Sequence, residues 1–79
     1  MDLDEAQITI RIDNFLRQFQ SCSSTDADFF YRLSELVELI RKQHGIFINE
    51  LQMAESLTRL SFESINADDD FVYPMKRVL

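Results

Sequence analysis

Glycine and proline are nearly absent from this sequence: Gly45 and Pro74 are the single examples in 79 residues. Sheet proteins place such residues at most hairpins, because tight turns need a positive or a preset φ. Their scarcity points toward helices. Cysteine and histidine are equally scarce. Cys22 alone excludes an internal disulfide, and Cys22 with His44 falls short of the three or four ligands of a usual zinc site. No glycine-rich loop is available to cradle a phosphate, since Gly45 sits where a helix terminator belongs. No uncharged run approaches the roughly 20 apolar residues that span a bilayer, so no membrane segment is expected. Basic residues are few as well, with 8 Lys and Arg against 14 Asp and Glu and a net charge of -6. That charge repels phosphate backbones and anionic headgroups, and it favours basic proteins as partners. The N-terminal residues Met1-Asp2-Leu3-Asp4-Glu5 are acidic where targeting segments are basic, which makes the cytoplasm the expected compartment.

What is present suffices for one folded unit. With 46% hydrophobic residues the chain is too apolar for a disordered tail, and its length predicts a single domain over 1–79. A core of this size supplies only a few kcal/mol of net stability. With neither metal nor disulfide expected, a partner chain becomes the expected support, a second copy in a homodimer included.

The apolar spacing predicts three helices. The clearest covers about 25–44, where Phe29, Leu33, Leu36, Val37 and Ile40 recur three and four apart. Thr25 and Asp28 suit its start, and Arg41, Lys42, His44 and then Gly45 suit its end. A first helix over about 4–21 is predicted from Ile8, Ile12, Phe15, Leu16 and Phe19, which share one arc. Its opening admits a second reading, because Ile8-Thr9-Ile10-Arg11-Ile12 alternates like a short strand. Ile10 discriminates: exposed in the helix, it joins Ile8 and Ile12 on one face in the strand. A third helix is predicted over about 48–65. Its Met53, Leu57 and Leu60 lie apart from Ile48, Leu51 and Phe62, so it is either buried centrally or has a partner on its second face, and the partner is the favoured expectation. From residue 66 to 79 the chain reads as an irregular extended tail, its acidic run Asp68-Asp69-Asp70 leading into Phe71-Val72-Tyr73-Pro74.

Little in the chain suggests catalysis. Cys22 and His44 fall at opposite ends of one predicted helix, too far apart for a dyad. The Asp68–Asp70 run lacks the alternating ligands, glycine and distal glutamate of a calcium loop. Glu35, Glu38, Glu50 and Glu55 read as surface charges. No enzyme, no cofactor and no metal are expected. The aromatic residues are the better candidates. Tyr31 lies off its helical stripe, and Phe71 with Tyr73 sits beside the aspartates, where rings can supply burial and charge can steer a basic partner. The expected partner-binding set is therefore Tyr31, Met53, Leu57, Leu60, Asp68, Asp69, Asp70, Phe71 and Tyr73.

Two resemblances bear on this set. Gln7-Ile8-Thr9-Ile10-Arg11-Ile12-Asp13, followed by a short helix, a Ser/Thr-rich turn and a second helix, resembles over residues 7–43 the start of ribbon-helix-helix antitoxins and repressors. That resemblance implies a strand over 7–12 paired across a dimer, with Thr9 and Arg11 entering the DNA major groove. Thr25-Asp26-Ala27-Asp28-Phe29 and the later Asp-rich and Tyr-Pro stretch are similar to segments of small helical bacteriocin immunity proteins, which implies an acidic plug on a basic toxin. The favoured expectation is an all-α, three-helix, non-enzymatic module that blocks, masks or stabilises another protein. A dimeric DNA-binding antitoxin or repressor is its alternative, and only there is nucleic acid a partner.

Overall fold

The computed structural model describes residues 4–78 of the expected 1–79 domain; Met1–Leu3 and Leu79 lie outside them. Along the chain run α1 (Glu5–Leu16), β1 (Phe19–Ser21), β2 (Phe29–Arg32), α2 (Leu33–His44), α3 (Glu50–Arg59), β3 (Ile65–Ala67) and β4 (Asp70–Arg77). The fold is thus mixed, with three helices and a four-stranded antiparallel sheet, which corrects the all-α helical-bundle expectation.

Among the described residues three helices are present, each shorter than predicted. α1 starts at Asp4, whose carboxylate accepts from the Gln7 N–H at 2.8 Å, and it includes residues 7–12. The strand alternative over 7–12 is therefore overturned, and Ile10, 58% exposed, sits where the helical reading puts it. α2 begins at Leu33 instead of Thr25. Ser23 to Asp26 form a turn held by their own side chains, and Phe29-Phe30-Tyr31-Arg32 is a strand. At the start of α2 the Glu35 carboxylate accepts from the Arg32 N–H at 2.8 Å. Its end follows the sequence: Gly45 takes φ 67° and its N–H reaches the Arg41 carbonyl at 2.8 Å. α3 opens with a reciprocal cap between Asn49 and Gln52, at 2.8 and 2.9 Å. Ile48 before that cap and Met53 after it hold the two staple positions, and both join the core.

The 66–79 tail is the correction with the widest consequence. Residues 70–77 form β4, and among the described residues each other strand pairs only with it. Met75 pairs with both Ser21 and Phe29, and Val72 with both Arg32 and Ile65. A strand has two edges, so β2 occupies one while β1 and β3 share the other, end to end. Pro74 fits because of that arrangement. The Val78 N–H donates to the Gln18 carbonyl at 2.9 Å, so alternate residues 76 and 74 address the same edge. At Pro74 that edge lies between the end of β1 and the start of β3, where a ladder N–H has no partner.

Turns are made without glycine. Asp68 and Asp69 link β3 to β4 as a two-residue hairpin loop with φ 50° and 67°, the primed-turn geometry usually assigned to Asn-Gly. After α3, Ser61 has φ 66°; the Phe62 N–H reaches the Leu57 carbonyl at 2.8 Å and the Ser61 N–H that of Thr58 at 3.1 Å. This is a Schellman ending with serine at the glycine position. Ser61→Gly should therefore stabilise the fold by about 1 kcal/mol, raising the midpoint of thermal unfolding by roughly 4–8 °C. Unchanged melting in differential scanning calorimetry would count against this helix ending.

The core lies between the sheet's inner face and the helices. Ile12, Phe15 and Leu16 of α1, Leu36 and Ile40 of α2, and Met53 and Leu57 of α3 close over Phe19 and Met75. Met53 and Leu57, expected to face a partner, are fully buried against the chain's own sheet and helices. The second apolar face of α3 is thus covered from within. Among the described residues, no helix is long and apolar enough to cross a membrane.

Candidate aromatic and acidic binding site

The pairing of β2 with β4 sets Tyr31 opposite Tyr73 and Phe29 opposite Met75. Phe71 follows two residues beyond Tyr73, on the same face, opposite Asn66 of β3. The face is graded along its length. Met75 is fully buried, Tyr73 half-buried and Phe71 65% exposed. An aromatic row therefore begins in the core and runs out to solvent at the hairpin end.

Its inner part is held firmly. The rings of Phe29 and Tyr31 stack at 5.3 Å with 10° between their planes, and Phe19 meets both edge-on at 5.8 Å. The Arg77 guanidinium lies over Phe29 and Phe19, 5.4 and 5.9 Å from their centroids. Tyr31 consequently presents its remaining surface in a fixed orientation. It borders an open groove of about 430 Å³ shared with Ser34, Glu35, Glu38, Leu39 and Lys42 of α2.

Carboxylates surround the exposed end. The hairpin carries Asp68 and Asp69 at its tip, both exposed, and Asp70 follows, 3.0 Å from the Arg32 guanidinium. Glu35 and Glu38 line the groove, the first bonded to the Arg32 N–H and the second paired with Arg41. The aspartate pair at the tip is left facing solvent, with a field suited to a cationic partner. The Arg32 N–H, which faces the open edge of β2, is occupied by Glu35, so strand addition there is blunted.

The fold brings together Tyr31, Asp68, Asp69, Asp70, Phe71 and Tyr73 from the expected set. It separates them from the other three: Met53 and Leu57 are core residues, and Leu60 is half-buried against the core beside Phe62. Thr9 and Arg11 lie on α1. Cys22 is a half-buried free thiol, and the His44 ring stands edge-on to Phe15 at 6.0 Å. Among the described residues, no group of three His, Cys, Asp or Glu side chains converges as a metal site would require.

Sequence reasoning missed two features. The groove residues Glu35, Glu38 and Leu39 join Tyr31 only because α2 starts after a strand. Phe47 is an exposed apolar residue that the periodicity did not single out, and Leu51, expected on an apolar face of the third helix, is 66% exposed. The one signal for Phe47 was its place between Ile46 and Ile48, an inward-outward-inward alternation. No family model, curated protein or solved structure matches this chain.

Proposed function

We propose that this protein is a non-enzymatic binding module that blocks, masks or stabilises another protein with a basic surface. The observation that carries this reading is Phe71, 65% exposed at the end of a rigid aromatic row and beside an acidic turn. An aromatic side chain held out of the core by neighbouring β-structure loses little freedom on binding, which suits it to a central role in an interface. Around it Asp68 and Asp69 steer a cationic surface, and Tyr31 with its groove extends the apolar area. The single cysteine suits a reducing compartment, and the cytoplasm is the compartment we propose. The DNA-binding alternative gains no support, because the ribbon it requires over residues 7–12 is helical.

The test compares wild type with Phe71→Ser and with Asp68→Asn/Asp69→Asn in affinity capture read by mass spectrometry. One basic protein retained by wild type should be lost about tenfold from each variant, with the circular dichroism spectrum unchanged. Its capture by wild type should weaken as salt rises. Equal retention by both variants would remove the hairpin end from the site.

A further inference from the structure

The groove beside Tyr31 runs along one face of α2. Ser34, Glu35, Glu38 and Leu39 line it at helical spacing, and Lys42 ends the row two turns from Ser34, about 12 Å along the axis. Tyr31 stands where the helix begins, because only Arg32 separates it from Leu33. Phe29 stacks on one face of the Tyr31 ring at 5.3 Å, which leaves the opposite face as the one that a ligand can cover. That stack and the edge-on contact of Phe19 at 5.8 Å hold the ring in place before anything binds.

Two of the lining side chains are carboxylates, three residues apart and hence neighbours on the helix surface. Glu35 accepts from the Arg32 N–H at 2.8 Å, and among the described residues it has no ion-pair partner. The Arg32 guanidinium is drawn away to Asp70, at 3.0 Å, and does not line the groove. Glu38 pairs with Arg41, which also lies outside the lining; both side chains are exposed, so the pair is worth little and opens readily to a competing cation. The far end differs, since Lys42 places a positive charge there. The ligand that fits is therefore a single cation, flat enough to lie on a ring.

We propose that this groove is an arginine-binding subsite, filled by one arginine side chain of the basic protein proposed above as partner. The inference rests on that reading and names the group through which the partner is held. A guanidinium is planar and carries five N–H donors, so it lies on the open face of Tyr31 while donating along its edge to Glu35 and Glu38. A lysine ammonium, compact and strongly hydrated, offers no plane to the ring and gains less in an open groove. Leu39 takes the methylene stem. Lys42 repels a second cation, so a run of basic residues gains little over one arginine. Tyr73 pairs with Tyr31 and lies about 7 Å along β4 from Phe71, so the arginine and hairpin contacts belong to one interface.

NMR titration of the full chain with the peptide acetyl-Ala-Ala-Arg-Ala-Ala-amide tests the subsite without the partner. The peptide should shift the amide signals of Ser34, Glu35, Glu38 and Leu39 saturably, with a Kd of about 1–10 mM. Ring current from Tyr31 should move the arginine side-chain protons upfield, and Tyr31→Leu should abolish that shift. Glu35→Gln keeps an acceptor for the Arg32 N–H and Glu38→Gln lies at an exposed position, so both variants should fold as wild type does. Each should bind the peptide at least about threefold more weakly, and wild type should discriminate against the lysine peptide by the same factor. Absence of saturable shifts up to about 50 mM peptide overturns the subsite. So does equal binding of the arginine and lysine peptides, or full affinity in the Glu35→Gln/Glu38→Gln double variant. The hairpin reading keeps its own test, because Phe71→Ser should lose the partner and still bind the peptide as wild type does.

Discussion

A chain lacking residues 70–79 should not fold. Those residues hold β4, among the described residues the only strand with which β1, β2 and β3 pair, so the deletion leaves no strand pair in the sheet. It also removes Met75 from the core, exposing the inner sides of Phe19, Phe29 and the helices, together with Val72, which is buried on the sheet's other face. A domain of this length has about 4–12 kcal/mol of net stability. Loss of the two apolar side chains alone costs about 4–6 kcal/mol, before any ladder bonds are counted. The truncated chain should give a broad, non-cooperative urea profile and poorly dispersed amide NMR signals. An irregular tail would predict the opposite result, three intact helices and a sharp transition. A cooperative transition at the full-length midpoint would overturn the central position of β4.

Leu57→Asp should unfold the protein at neutral pH. Leu57 has no exposed surface and lies within a core that includes Phe15, Leu36 and Met53. An ionised carboxylate there has no cationic partner and meets the desolvation penalty of an isolated buried charge, several kcal/mol even after relaxation. That matches most or all of the stability available. Leu51→Asp on the same helix is the control. Leu51 is 66% exposed at the positive end of the helix dipole, so its replacement should change stability by no more than about 0.5 kcal/mol. Chemical denaturation of the two variants separates a helix covered by its own domain from one that offers its second face to a partner. Similar stabilities would favour the exposed face.

Features written in neighbouring residues were the legible ones. The end of α2 at Arg41, Lys42, His44 and Gly45 follows from charge at a helix terminus and from the left-handed geometry that glycine accepts. The helical reading of Ile8 to Ile12 follows from a stripe that continues into Phe15 and Leu16. Turn composition misled. Ser61, Asp68 and Asp69 all take positive φ, so two turns that glycine would have announced are made by polar residues. Phe29 misled in another way: it lies four residues before Leu33 and prolongs the α2 stripe, although it belongs to a strand opposite Met75. β1 and β3 have three residues each, too few to show an alternation. Pro74 argued against a regular central strand, because the gap that excuses its missing N–H exists only after β1 and β3 have paired.

The candidate site divides along the same line. Phe71 beside the aspartates is an aromatic and acidic segment in one dimension, visible without a fold. That Tyr31 joins it, while Met53 and Leu57 do not, depends on pairings between residues about 40 positions apart. By itself, therefore, the sequence determined the acidic balance, the core of each helix and the cap that ends the second of them. These are properties of bonds and contacts within four residues, which any local segment expresses. The tertiary structure alone decided that the last apolar segment is the centre of a sheet, that Met53 and Leu57 of the third helix are covered from within and that the aromatic row runs outward. A strand satisfies its backbone only through a distant segment, and the choice among distant segments belongs to the whole chain.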